Sequence, residues 1–423
     1  MVSASDKDER SAHDRSAQRN MAADLVLVVA FSLPILFAIF AFATVEAGGA
    51  MIVAVSFFEL AVTLSVIAKR GFRWQALAGI PGWATALCIG VIAVASGTAV
   101  FVSANPLISL VASAFSLLHV IYGLVLMSSM TISAEPSQRA LALAFGLAMV
   151  AYLPLMILYF LIAGTPADGI WTDALPGFGN VRRLGAPLAA GAGAILGLMA
   201  FTPREQPRRY YGLAAAAIVL WGMLFWTGSR GAVCALVGAV LVTSFILPAA
   251  TRMRFLRISF MTLFLGAALS FVHTPPDPNF GLFNAAERVA GDEPTGRRLD
   301  IWRDTAEAIL QRPWFGHGAA QLREAVGDRP YEAIHPHNMV LQVLLDWGLV
   351  GGGAFLVLVG VMWIRAYASA WRGSGANLPL FLPLTALLAL SLLDGVFFYP
   401  YPLLIVTTLF AAIFARHAEH YRS

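Results

Sequence analysis

The stretch AIHPHNMVLQVLLDWGLVGG, Ala333 to Gly352, decides how the chain is read. Its first six residues hold two histidines, a proline and an asparagine, and an apolar run follows that continues to residue 364. About 20 apolar residues in a helix cross a hydrocarbon core about 30 Å thick. Runs of this kind recur from Ala22 to the C-terminus. The 423 residues are 59% hydrophobic and 12% charged, whereas soluble domains carry about 25% charged residues. These features predict an all-α polytopic membrane protein with about 12 transmembrane helices.

The expected spans are 22–43, 47–68, 76–97, 107–131, 140–163, 184–201, 211–227, 230–248, 255–272, 338–364, 378–395 and 400–415. They divide the chain into a polar tail (1–21), nine spans (22–272), a long loop (273–337), three spans (338–415) and a short tail (416–423). The first 20 residues carry no small-residue cleavage signature and read as a tail rather than a signal peptide. Cys88 and Cys234 both lie in apolar stretches, which argues against a disulfide framework. The net charge of +4 does not indicate a nucleic-acid partner, because the basic residues sit mostly in short loops between spans.

Those loops set the orientation. Arg10, Arg15, Lys69, Arg70, Arg139, Arg208, Arg209, Arg252, Arg254, Arg365, Arg372 and Arg416 all fall on one side of a twelve-span chain. Lys and Arg concentrate on the cytoplasmic side, so both tails are expected there. The exceptions on the other side are Arg182 and Arg183, then Arg230, then the segment from His273 to His337. Residues that break a rule without structural reason are where function is sought.

The long segment exceeds the length of an idle connection. Within it RRLDIWRDTAEAILQRP reads as an amphipathic helix, with Leu299, Trp302, Ala306, Ile309 and Leu310 on one face and Pro313 ending it. AAQLREAV reads as a second short helix, so a small helical cap is expected over the outer membrane surface.

Four stretches on that side collect polar groups. They are FGNVRRLGAPLAAG, with Asn180, Arg182 and Arg183; WTGSRGAVCALVG, with Thr227, Ser229 and Arg230; TGRRLDIW, with Arg297, Arg298 and Arg303; and the histidine stretch, with His335, His337 and Asn338. The fixed donor fork of arginine matches phosphate oxygens. Three arginines converging at an outer membrane surface would suit a diphosphate, such as that of a polyprenyl carrier. A neutral histidine beside them could take a proton from an acceptor hydroxyl while the arginines absorb the charge of the departing diphosphate. The scheme needs no metal and no cofactor, and His335 and His337 have no Asp or Glu within two residues. By itself His335 reads as loop packing, and His337 could simply cap the tenth span. His317 reads as a turn residue.

Three carboxylates fall within or near spans: Glu59, Asp346 and Asp394. Charges there are costly and invite a functional reading. Asp346 is expected to make an interhelical hydrogen bond, and Glu59 has no assigned place. Trp171, Trp226, Tyr399 and Tyr401 near span ends read as interface anchors.

Taken together, these stretches resemble the O-antigen ligase and polymerase family of bacterial envelope glycosyltransferases. The resemblance runs from about Gly177 to Gly353. It rests on the GSRG break, the R-x-x-I-W helix followed by P-W-F-G-H-G, and H-N followed by L-Q-x-L-x-D-x-G-L-V-G. It implies a GT-C-like protein in the bacterial inner membrane with its site facing the periplasm. Such a protein would move a glycan from undecaprenyl diphosphate to a hydroxyl of the lipid A core or of another glycan. It also implies His337 as the catalytic base and Arg182, Arg230 and Arg298 as diphosphate-binding residues. Ser229, Asn338, His335, Arg183 and Arg303 would be supporting residues. The chain departs from the family pattern at Arg183, Leu184 and Ala186, where many relatives carry a histidine and an aromatic pair. A polymerase or a protein O-oligosaccharyltransferase would use the same scaffold. A transporter or flippase would more often show internal repeats, and the chain shows none.

Overall fold

A computed structural model describes residues 47–70, 72, 81–129, 134–163, 175, 177–178, 181–203, 205–272, 298–327, 333–373 and 375–415. The expected span at 22–43, both tails, Trp171, Asn180 and Arg297 lie outside these residues. Among the described residues the architecture is helical: α1 (Ala47–Arg70), α2 (Gly82–Phe101), α3 (Pro106–Ser129), α4 (Ala134–Ala163), α5 (Gly185–Ala200), α6 (Pro207–Trp226), α7 (Arg230–Ser244), α8 (Ala249–Leu269), α9 (Arg298–Gln311), α10 (Leu322–Val326), α11 (Met339–Arg372), α12 (Leu378–Leu390) and α13 (Pro400–Ala415). Seven of these are long and apolar enough to cross a membrane, and α7, α12 and α13 are shorter apolar helices. Each expected span from 47–68 onward coincides with one of them or with α8, whose first half carries Arg252, Arg254 and Arg257.

The bundle is organised around α5. All sixteen of its residues are buried, as expected of a helix that is apolar on every face. Small residues let its neighbours come close. A Cβ on Gly197 would lie 2.6 Å from Pro379 Cα, and one on Gly193 would lie 3.1 Å from Pro383 Cα, both in α12. Around this pair α4, α6 and α7 pack, α8 packs on α6, and α1, α3 and α13 form an adjoining group. Glu59, fully buried in α1, is hydrogen-bonded to His119 of α3, and Tyr122 of α3 bonds Thr408 of α13 at 3.0 Å. Trp226 and Tyr401, expected as interface anchors, are instead buried core residues. Tyr401 stands edge-on to Phe178 in the helix-end packing.

At one end of the bundle arginines satisfy open helix ends. Arg252 donates to the carbonyls of Ser244 and Leu247, both at 3.2 Å, and Arg254 donates to Thr202 at 2.6 Å. At the other end lies the cap. Helix α9 forms as expected, but the face it buries differs. Ile301, Thr305 and Ala308 are buried, whereas Leu299 is 57% exposed and Leu310 is 77% exposed. The chain folds back after Pro313, so α10 and Leu345 of α11 meet α9 on its Ile301–Ala308 side.

That return is fixed by a break in α11. Gly348 has φ +63° within a helix of 34 residues. In a regular helix the N–H groups of Leu349 and Val350 would bond the carbonyls of Leu345 and Asp346. Here those carbonyls accept from His317 and Gly318 of the cap loop at 2.8 and 2.9 Å. The two N–H groups donate to Pro313 and Trp314 at 2.8 and 3.1 Å. The loop is thus stitched into the gap like a short strand. The approach is too close for side chains: a Cβ on Gly316 would lie 2.5 Å from the Leu345 oxygen, and one on Gly348 would lie 2.3 Å from Trp314 C. The buried Asp346 carboxyl faces this loop, with the Ala320 backbone acting on it electrostatically. At 1.5 Å per residue α11 is about 51 Å long, well beyond a hydrocarbon core of about 30 Å. The residues after the break are enough to cross it.

Gly348→Ala should therefore destabilise the protein. The positive-φ, extended backbone of Gly348 is nearly glycine-only and costs about 1–3 kcal/mol for a residue with a Cβ, and the clash with Trp314 adds to it. Gly353→Ala, in the same helix with open space around it, is the control. Thermal unfolding in detergent should show a clear drop for Gly348→Ala and none for Gly353→Ala. Equal midpoints would mean that the loop does not depend on the break.

Candidate functional site

Asn338 starts α11. Its side-chain oxygen accepts the N–H of Leu341 at 3.1 Å, and its amide donates to the Leu392 carbonyl at 3.0 Å. The residue that caps the helix is thus Asn338, which frees His337 for another role. His337 sits just before the cap with φ +53°. That conformation costs about 1–2 kcal/mol in a residue with a Cβ. It brings His337 Nδ1 to 3.1 Å from Asp394 Oδ1. Both groups are partly open, at 29% and 21% side-chain exposure.

Asp394 lies in the turn between α12 and α13 and also accepts the Gly395 N–H at 2.8 Å. Burial works to raise its carboxyl pKa. The hydrogen bond and charge of His337, the Gly395 N–H and the charge of Arg298 outweigh that effect and hold it below the usual range. Asp394 is therefore a carboxylate that accepts from an imidazole N–H. A neutral His337 that donates Nδ1–H keeps a lone pair on Nε2.

The second imidazole is enclosed. His335 is 2% exposed, with its ring stacked on Phe398 at 4.3 Å and edge-on to Tyr399. Its Nε2 lies 3.1 Å from the Tyr399 hydroxyl, and its Nδ1 accepts the His337 N–H at 3.2 Å. Burial, then the charges of His337, Arg183 and Arg298, push its pKa down to about 3, with Asp394 opposing them. His335 is thus neutral at any physiological pH.

The basic residues divide. The Arg183 guanidinium lies over the Tyr399 ring, 5.1 Å from its centre, whereas Arg182 is exposed on the same turn. Arg298 opens α9, and its charge acts on both His335 and Asp394. One helical turn on, Trp302 donates to the Pro336 carbonyl at 2.8 Å, which ties the cap to the histidine stretch. Arg230 opens α7 and is exposed, as is Arg303 on α9. The α6–α7 break belongs to the same end of the bundle. A Cβ on Gly185 would lie 2.8 Å from Ser229 Oγ, and one on Gly231 would lie 3.5 Å from Leu393.

The four polar stretches thus converge at one end, joined by a fifth, Ser391–Tyr399. Of the expected residues, His335, His337, Arg183 and Arg298 share one electrostatic neighbourhood. Arg182, Arg230 and Arg303 are exposed around it. Asp394 and Tyr399 were not expected there. Asp394 carried a signal, a carboxylate in an apolar context, but Tyr399 looked like an ordinary interface aromatic. His317, expected as a turn residue, donates its backbone N–H to Leu345 and contacts the Ala308 carbonyl through Nε2 at 2.9 Å. Among the described residues no group of three or more His, Cys, Asp and Glu is placed to hold a metal ion.

Part of the chain is similar to known proteins. Residues 215–356 match a family model described as O-antigen ligase. That interval contains Arg230, Arg298, His335, His337 and Asn338, and leaves Arg183, Asp394 and Tyr399 outside. The chain is 28% identical over 159 residues to an O-antigen ligase of Pseudomonas aeruginosa, covering 38% of this chain and 34% of that protein. It is 34% identical over 88 residues to a Rickettsia prowazekii protein provisionally named a polysaccharide ligase, covering 18% of this chain and 22% of the relative. A similarly named Rickettsia typhi protein is 28% identical over 128 residues, 27% of this chain and 31% of the relative. The matched parts span only 22% to 34% of these relatives' own length, and the family-model interval is the one that contains the cap and the histidine stretch. Through the matched interval the chain is similar to the O-antigen ligase family.

Proposed function

We propose that this chain is an inner-membrane glycosyltransferase of the O-antigen ligase type. Its donor is a glycan on undecaprenyl diphosphate, and its acceptor is a sugar hydroxyl of the lipid A core at the periplasmic face. The observation that carries the reading is the contact between His337 Nδ1 and Asp394 Oδ1 at 3.1 Å. It leaves a partly exposed imidazole nitrogen available beside cations.

In this scheme His337 Nε2 takes the proton of the acceptor hydroxyl as its oxygen attacks the anomeric carbon. The bond from that carbon to the phosphate oxygen breaks, and its electron pair leaves with the diphosphate. Attack opposite the leaving group inverts the anomeric centre. Asp394 orients the imidazole and balances the charge it gains. Arg298 acts on Asp394 and Arg183 lies over Tyr399, and Arg182 and Arg230 line the same end of the bundle. Together they would hold the diphosphate and stabilise its developing charge. No metal and no cofactor takes part.

A gene-deletion strain complemented at matched membrane levels tests the reading. His337→Ala should leave lipid A core without polysaccharide while polymer of normal length accumulates on the carrier. General-base catalysis contributes about 10²–10⁴-fold, so residual transfer should fall by that order. Polymer that shrinks to a single repeat would instead make the enzyme a polymerase, and normal surface polysaccharide would sink the mechanism.

The arginines make a separate prediction. Arg230→Ala and Arg298→Ala should raise the donor concentration needed for half-maximal transfer, measured in membranes supplied with graded carrier-linked glycan. Full activity at low donor concentration in both variants would remove the diphosphate site from this end of the bundle.

A further inference from the structure

The structure gives the two histidines different work, and the enclosed one has a task beyond packing. We propose that His335 is a positioning residue. By accepting the His337 N–H it holds the His337 backbone in the left-handed conformation that presents the second imidazole to Asp394. The proposal rests on the reading of His337 as the base.

The hydrogen bonds assign the His335 tautomer. Its Nδ1 accepts the His337 N–H at 3.2 Å, so it carries no hydrogen. Its Nε2 therefore carries the hydrogen and donates to the Tyr399 hydroxyl at 3.1 Å. Both nitrogens are used, and the ring is sealed between Phe398 and Tyr399. No nitrogen is left for substrate. The position of the ring is set from behind by Gly395, where a Cβ would lie 2.4 Å from His335 Cε1. Gly395 is also the N–H donor to Asp394 at 2.8 Å. One turn of backbone therefore fixes both the carboxylate that receives His337 and the imidazole that holds its backbone. Arg183 completes the support with its guanidinium over the Tyr399 ring, 5.1 Å from its centre.

The support requires a neutral His335, because a protonated Nδ1 cannot accept. The groups facing it are His337, Asp394, Tyr399, Arg183 and Arg298, and with burial they keep its pKa far below the ordinary 6.5. A histidine depressed in this way contributes stability above its unfolded pKa. That contribution is lost as pH falls, because the released loop takes up a proton that the held loop refuses. The histidine stretch should therefore loosen between pH 6.5 and about 3.

Three variants of the full chain separate this role from simple packing. His335→Asn can place an acceptor near the Nδ1 position. His335→Gln places its amide near the Nε2 position, facing Tyr399 without serving His337. His335→Leu supplies neither. Transfer is measured with detergent-purified protein added to membranes of the deletion strain, which contain the carrier-linked glycan and the acceptor. Leu and Gln should lower kcat at least tenfold with the donor KM within about twofold of wild type, and Asn should restore most of the loss. Hydrogen exchange over residues 333–341, corrected for intrinsic rates, should be faster in Leu and Gln at pH 7.5. It should rise in wild type between pH 7.5 and 5.5, and not in Leu.

The proposal is overturned if Gln is as active as Asn, or if exchange over the stretch is the same in all variants. If His337→Ala keeps full activity while the exchange results hold, the proposed base fails but His335 still positions the loop.

Discussion

A membrane protein cannot leave backbone groups unpaired where water is scarce, and the break at Gly348 creates four of them at once. The carbonyls of Leu345 and Asp346 and the N–H groups of Leu349 and Val350 lose their helical partners and find new ones in Pro313–Gly318. Each such group left bare would cost about 1–3 kcal/mol, so the loop and the break require each other. This constraint brings the cap down onto the start of α11. From there α9 can reach the histidine stretch: Trp302 bonds Pro336, and Arg298 acts on Asp394 and His335. The placement of a cation beside the His337–Asp394 pair thus follows from a helix that was interrupted ten residues after its start.

The spans were legible because hydropathy is a strong and local signal. The helix starting at Met339, α6, the shorter α7, and the division between them all fall where the apolar runs predict. The cap helices were legible too, in existence though not in orientation. Leu299 and Leu310 outline a plausible apolar stripe, but the buried face passes through Ile301 and Ala308. Which side of α9 is covered depends on where the chain returns, and that is set by the break in α11. Nothing local marks Gly348 among the neighbouring glycines of α11. Its role depends on a loop more than thirty residues away in sequence. Asp394 and Tyr399 were missed as site residues for the same reason. Each meets the histidine stretch from across the bundle, and only packing brings Ser391–Tyr399 to that end. Arg183 shows the converse: it departs from the family pattern and was expected only as a supporting residue, yet its guanidinium lies over the Tyr399 ring.

The polar residues deep in the bundle are tied to one another across helices. Glu59 and His119 join α1 to α3, and Tyr122 and Thr408 join α3 to α13. Asp346 faces the cap loop, whose Gly318 N–H bonds its backbone carbonyl. The first two ties fix the register of α1, α3 and α13 beside α5, which has no polar side chain of its own and relies on close glycine contacts.

Two imidazoles two residues apart have opposite environments, and the difference is one of burial. His335 lost its water to Phe398 and Tyr399 and must stay neutral, so it can serve only as a fixed acceptor and donor. His337 keeps part of its ring open and gains a carboxylate on one nitrogen. A proton that arrives at its other nitrogen would find its charge balanced by Asp394, with the departing anion met by arginine. Had the exposures been exchanged, the open ring would have had no carboxylate behind it, and the closed ring would have faced a proton it could not hold. Under the proposed mechanism the order of the two histidines around Pro336 is part of the chemistry, the first gripping the backbone and the second reaching the substrate.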